Sequence, residues 1–144
     1  MMEGYWKAPE ATREAMIGGY LSTGDLATMD EKGYVYHVGR KKDVIVTEGN
    51  AVSPTEIEEL ICWHSSVQEA AVIGVPDKEL GQAIKAIIVL KAGQTATEEE
   101  ILNLCRQNLP SYVIPKSAEF VDRLPRSTFG KVLRGALREQ YDKR

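Results

Sequence analysis

Apolar and polar positions change period several times along this chain, and each change marks an element. Residues 9–16 carry a Pro near their start and predict a short helix ended by Gly18-Gly19. Two β-rich runs follow, 20–28 and 34–38, joined by Met29-Asp30-Glu31-Lys32-Gly33. Asp opening the turn and Gly closing it fit a type I turn with a left-handed last residue, hence a hairpin. A charged stretch, Gly39-Arg40-Lys41-Lys42-Asp43, precedes the strand-like Val44-Ile45-Val46-Thr47. Ser53-Pro54-Thr55-Glu56 reads as an N-cap, a first-turn Pro and a Glu closing a capping box. Ile57, Leu60, Ile61 and His64 keep helical spacing after it, which predicts a helix over about 54–63. Residues 67–75 and 82–90 are β-rich, with the turn set at Pro76-Asp77. Thr97-Glu98-Glu99-Glu100 is a second capping box, opening a helix that turns Ile101, Leu104 and Cys105 inward. A strand over 118–121 and a helix from about 131 complete the pattern. Strands separated by helices predict an α+β fold: an N-terminal hairpin segment, then a small three-stranded sheet with helices packed on it.

Composition narrows the class without naming a function. The 144 residues are 43% apolar and 27% charged, as in an ordinary globular protein. A net charge of −3 gives no sign of a nucleic-acid or anionic-membrane partner. No apolar run approaches the roughly 20 residues that span a bilayer. The start of the chain lacks the basic-then-apolar pattern of a secretory signal, so cytoplasm is the expected compartment. Cys62 and Cys105 stand far apart, without metal-ligand spacing, and are expected to be buried and reduced. His37 and His64 have no partners at ligand spacing, so no metal site is expected.

Two segments carry candidate chemistry. In Leu124-Pro125-Arg126-Ser127-Thr128-Phe129-Gly130-Lys131, a lysine sits on a Gly-containing turn between a strand and a helix. The spacing imitates a phosphate-cradling loop but fails its test. Pro125 stands where a Gly amide is needed, and Val132 where a Ser or Thr would follow the lysine. A single cation on a turn suits instead a reaction that passes through a crowded anionic transition state. Most of the 18 Lys and Arg side chains must be plain solvated charges, so Lys131 matters only through its company. In Ser22-Thr23-Gly24-Asp25, a carboxylate follows Gly at a strand end, where it could accept hydrogen bonds from two vicinal sugar hydroxyls. Arg40, on the turn after the next strand, offers a fork of donors to the same sugar. Taken singly, Asp25 is more simply a turn-stabilising residue and Arg40 a surface charge.

Four segments in order resemble the carboxy-terminal part of the AMP-forming acyl-adenylate enzymes, the superfamily of acyl-CoA synthetases, luciferases and peptide-synthetase adenylation domains. They are Gly4-Tyr5-Trp6 with Pro9-Glu10-Ala11-Thr12; Ser22-Thr23-Gly24-Asp25; Gly39-Arg40-Lys41-Lys42-Asp43 with Gly49 and Pro54-Thr55-Glu56-Ile57-Glu58; and Pro125 with Gly130-Lys131. The resemblance covers nearly the whole chain. It implies that residues 1–41 are the tail of a large adenylate-binding domain and residues 42–144 a small mobile lid. It also implies a two-step reaction, in which a carboxylic acid and ATP give an acyl-adenylate and a thiol then takes the acyl group. Lys131 would then be catalytic in the adenylation step, Asp25 and Arg40 would hold the ribose of AMP, and Lys42 would be the hinge. Gly49, Tyr112 and Lys116 would lie on the CoA side. ATP and CoA are implied as substrates, with Mg2+ accompanying ATP in the whole enzyme and nothing held by this chain alone.

Departures and absences set further expectations. Where many acyl-CoA synthetases have Gly-Gly-Glu-Asn, this chain has Glu48-Gly49-Asn50-Ala51, which puts a carboxylate beside the implied thiol channel. Val113 replaces a common lysine and Gln82 a common glutamate. No Ser/Thr/Gly-rich phosphate loop and no acyl-pocket segment is present, so the chain is expected to be a fragment whose partner is the missing N-terminal domain. The isolated chain is therefore expected to be inactive. Tyr5, Trp6, Tyr20 and Leu21, left uncovered, would favour homodimerisation. The alternatives are a non-catalytic binding module that keeps the fold, or the lid of a luciferase-like or peptide-synthetase enzyme. A chain ending at Arg144, without a carrier segment, favours soluble CoA as the thiol.

Overall fold

The computed structural model describes residues 2–142. The chain divides into two compact units, the first ending at Lys42 and the second beginning at Asp43. In the first, α1 (Pro9–Ala15) leads into a minimal antiparallel pair, β1 (Met16–Ile17) and β2 (Tyr20–Leu21). Gly18 and Gly19, at φ 58° and 83°, form the turn of that pair. They therefore reverse a hairpin instead of ending the helix, because Met16 already has extended backbone at φ −100° and ψ 107°. Gly4 packs so closely on Thr12 that a Cβ there would lie 2.7 Å from its Cγ2. Thr12 Oγ1 in turn accepts from the Tyr5 amide at 2.9 Å, which accounts for the pairing of Gly4 with Thr12 in the first motif.

The predicted hairpin consists of β3 (Asp25–Met29) and β4 (Val35–Arg40), antiparallel. Its turn follows the expected chemistry. Asp30 Oδ1 accepts from the amides of Lys32 and Tyr34, each at 2.9 Å, and Gly33 takes φ 84°. A register shift between Leu26 and Ala27 bends the hairpin near its open end, where Asp25 faces Arg40.

The second unit holds the core. β5 (Ile45–Thr47) and β6 (Asn50–Val52) form a short hairpin, followed by α2 (Pro54–Ile61). β7 (Val67–Asp77) and β8 (Gly81–Leu90) are antiparallel, and after α3 (Glu98–Asn108) the chain returns as β9 (Ser117–Phe120), parallel to β8. α4 (Arg134–Tyr141) closes the unit. The sheet order β7-β8-β9 makes β8 central. Both of its faces are covered, so its run from Ala83 to Val89 is nearly all apolar. Ile84, Ala86 and Ile88 join Ile57, Ile61, Ile101 and Cys105 in the core on the α2 and α3 side. Ile87 and Val89 join Ile73, Leu124, Leu137 and Tyr141 on the α4 side. The result is the expected α+β arrangement, a three-stranded sheet with helices on both faces.

Several local expectations are corrected. Pro76 and Asp77 belong to β7, paired with Gln82 and Gly81, and the turn falls at residues 78–80. An edge strand tolerates a Pro, and Asp77 Oδ1 caps the turn by accepting from the amides of Glu79 and Leu80, both at 3.0 Å. Ser53 occupies the N-cap of α2 but makes no side-chain cap hydrogen bond there. At α3 the capping box forms in full: Thr97 Oγ1 accepts from the Glu100 amide at 3.2 Å, and Glu100 Oε2 from the Thr97 amide at 2.7 Å. α2 stops at Ile61, so Cys62 lies exposed beyond it, whereas Cys105 is buried and its thiol is pushed up to about 11 by desolvation. The last helix begins at Arg134, three residues after Lys131.

Candidate functional site

In the first unit, β3 and β4 bring Asp25 and Arg40 opposite one another. Arg40 Nε lies 3.1 Å from Asp25 Oδ1, and His37 Nε2 lies 3.8 Å from the same oxygen. The Asp25 amide donates to Thr23 Oγ1 at 3.1 Å, and the Lys41 amide to the Gly24 carbonyl at 2.8 Å. Gly24 turns at φ 74°, a left-handed conformation that suits Gly. Thr23, Gly24, Arg40, Lys41 and Lys42 line an open depression of about 490 Å³. A carboxylate and a guanidinium fork therefore stand together beside a concave, basic surface, with side chains 34% and 50% exposed. Lys42 lies in the 3₁₀ turn Lys41–Asp43, at the end of this unit.

In the second unit, Lys131 is exposed at the base of a tight turn. Arg126 and Val132 form an isolated antiparallel bridge below it, and the Gly130 amide donates to the Ser127 carbonyl at 2.9 Å, with Gly130 at φ 80°. The Ser127 amide donates to the Lys131 carbonyl at 2.8 Å, and Ser127 Oγ accepts from the Lys131 amide at 3.2 Å. Phe129 stands at the tip, 90% exposed. The lysine is thus displayed by a backbone that satisfies its own hydrogen bonds.

Gly49, at φ 77°, shares the β5–β6 turn with Glu48, whose φ of 49° is left-handed although it is not Gly. A depression of about 420 Å³ gathers Glu48, Arg106, Tyr112 and Lys116. Lys116 Nζ is already paired with Asp77 Oδ2 at 2.8 Å. That hydrogen bond, with those from the Leu80 and Glu79 amides, lowers the Asp77 carboxyl to about 2.

Sequence reasoning missed a half-buried ionic network. Arg134 donates to both oxygens of Glu58, through Nε at 3.1 Å and Nη2 at 2.5 Å, and its Nη1 lies 3.6 Å from Asp43 Oδ2. Arg138 Nη2 donates to Asp43 Oδ1 at 3.0 Å, and Glu58 Oε1 also accepts from the Val72 amide at 2.8 Å. Desolvation acts to lower the Arg134 pKa, but Glu58 and Asp43 outweigh it and hold the group above its ordinary range. Asp43, the first residue after Lys42, is therefore tied to α4. The signal available in sequence was the pair of carboxylates inside the quoted motifs, but their partners lie 76 and 95 positions away.

Residues 56–131, just over half of the chain, match the model of the AMP-binding enzyme C-terminal domain. The chain belongs to that family. Over 140 residues this C-terminal domain chain is 48% identical to a long-chain-fatty-acid–CoA ligase of Yersinia pestis, covering 97% of its own length and 25% of the ligase. It is 41% identical over 141 residues to a feruloyl-CoA synthase of Amycolatopsis sp, covering 98% of itself and 29% of that protein. Among solved structures, ATP-bound MatB from Rhodopseudomonas palustris matches with a TM-score of 0.90 at 42% identity, over 97% of this chain and 28% of that one. The chain thus spans roughly a quarter of the relatives it matches. Among the described residues, no group of three His, Cys, Asp or Glu could hold a metal ion, and no helix is long and apolar enough to cross a membrane.

Proposed function

We propose that this chain is the C-terminal lid of an AMP-forming acyl-CoA synthetase. The observation that carries the proposal is the self-braced turn displaying Lys131, in a chain similar over 140 residues to CoA ligases. In the first step a carboxylate oxygen attacks the α-phosphorus of ATP, the bond to the bridging oxygen breaks, and pyrophosphate leaves. Two anions must meet, and the Lys131 ammonium offsets their repulsion most where charge concentrates, in the transition state. Asp25 accepts from the ribose hydroxyls and Arg40 donates to them, at the rim of the basic depression. Their mutual ion pair holds both groups in place before the sugar arrives.

In the second step a thiol sulfur attacks the acyl carbon, the thiol proton is lost, and AMP leaves with the carbon–oxygen bond pair. Lys42 serves as the pivot between the two steps, with Asp43 fixed to α4 on its far side. Gly49, Tyr112 and Lys116 face the CoA arm and nucleotide. Lys116 must share Asp77 with any phosphate it meets. Mg2+ would accompany ATP in the complete enzyme, since among the described residues no group of three His, Cys, Asp or Glu could hold it. Residues 1–41 belong to the tail of that domain, and their exposed Tyr5, Trp6 and Tyr20 are the surface it would cover. The acyl pocket would lie in the large domain, so the acid is named only as a carboxylic acid.

The test is Lys131→Ala in the complete enzyme. Acid-dependent pyrophosphate release should fall by about two to three powers of ten, the usual effect of removing one transition-state contact. Release within threefold of the parent would reject the role.

A further inference from the structure

The turn that carries Lys131 is held from outside as well as from within, by the packing of Val132 on the core and by one charged side chain. Arg126 sits at its base, opposite Val132. Its guanidinium reaches in two directions: Nη1 donates to the Gly130 carbonyl at 2.5 Å, and Nη2 pairs with Glu69 Oε2. Gly130 is the residue immediately before Lys131, and Glu69 belongs to β7, 57 positions before Arg126. A planar fork with fixed donor directions can make both contacts at once, whereas a lysine ammonium is a point charge on a flexible stem.

We infer that Glu69 and Arg126 form a clamp that positions Lys131 by fixing the Gly130 carbonyl against the sheet. This rests on the proposed role of Lys131 in adenylation. Without the clamp the turn keeps its backbone hydrogen bonds and the apolar packing of Val132, but loses its polar tether to β7, and the lysine samples a wider volume. Catalysis by positioning is steep in distance, so a small loss of order is costly. The Glu69 side chain is 23% and Arg126 46% exposed, so the pair adds little to global stability. Arg126 touches no reacting atom in this scheme and is a positioning residue.

The clamp predicts an asymmetry between the two half-reactions, because Lys131 acts only in the first. In the complete enzyme, Arg126→Gln and Glu69→Gln should each lower acid-dependent ATP–pyrophosphate exchange about tenfold or more in kcat. The KM for ATP should change less than threefold. Thioester formation from preformed acyl-adenylate should stay within twofold of the parent. Arg126→Lys keeps the charge facing Glu69 but not the fork, and should recover only part of the loss. In this chain, amide exchange at Gly130 and Lys131 should quicken in Arg126→Gln while the melting temperature moves little.

Equal losses in both half-reactions, or no loss in either, would overturn the clamp. Lys131→Ala separates the two levels. If it abolishes exchange while Arg126→Gln leaves exchange intact, the clamp fails and the lysine's role stands. If Lys131→Ala itself keeps full exchange, the role of Lys131 and the clamp fall together.

Discussion

Replacing Arg134 by Met tests whether the ionic network behind residue 43 holds the second unit together. The substitution keeps an unbranched apolar stem and removes the guanidinium. It leaves Glu58 the Val72 amide and Asp43 the Arg138 guanidinium. The side chains of Arg134, Glu58 and Asp43 are 25%, 13% and 11% exposed, which places the network between two known limits. Exposed pairs contribute about 0–1 kcal/mol. Breaking a fully buried pair costs about 3–5 kcal/mol, because a charge is left without its partner. The bidentate contact and the low exposure favour the upper side, while the surviving partners of both carboxylates reduce the cost, so about 2–3 kcal/mol is expected. For a domain of about 100 residues each kcal/mol moves the midpoint by about 4–8 °C, giving a fall of roughly 10–20 °C. Thermal unfolding followed by circular dichroism measures it. A fall of under 3 °C would refute the assignment of the network as a structural tie. Glu58→Gln with Arg134→Met should cost less than the sum of the single changes, since the two residues share one contact.

Glu48→Gly should raise stability by about 0.5–1 kcal/mol, since a left-handed non-Gly residue costs about 1–2 kcal/mol and part of the gain is lost to glycine's unfolded-state entropy; a lower melting temperature would contradict this. Asp77 has a folded pKa of about 2, below its unfolded value near 3.8, so its stabilisation is fully present above about pH 4 and is lost as pH falls toward 2. Lys116→Met should move the Asp77 titration upward by NMR and shrink the acid-side loss of stability, and an unchanged titration would count against the Lys116 hydrogen bond as its main cause.

Local pattern revealed the elements whose signals are local. The α3 capping box lies within four residues, and the Asp30–Gly33 turn within five, and both formed as expected. β8 was legible only as a β-rich run; that both of its faces are covered, which is why it needs no polar alternation, came from the sheet order. Pro76 misled because the rule that places Pro in turns also lets it stand on an edge strand, and only the sheet order shows that β7 is an edge. Cys62 misled because it follows buried Ile61 directly, just where the helix stops. In the candidate site, motif order brought out Asp25 and Arg40, and the hairpin register places them face to face. Glu69 with Arg126 and Glu58 with Arg134 were invisible, because partners 57 and 76 positions apart leave no mark on any local period. Gln82 was noted only as a departure, yet its Oε1 accepts from the Val46 amide at 2.8 Å and ties the β5 hairpin to the sheet.

The lid assignment is tested most directly by reconstitution. The 144-residue chain is mixed with the separately produced large domain of its parent enzyme, and pyrophosphate release is followed with ATP and a carboxylic acid. Release should require both pieces and the acid, and should be lost when the chain carries Lys131→Ala. Acid-dependent release by the chain alone, or full release with Lys131→Ala, would contradict the assignment.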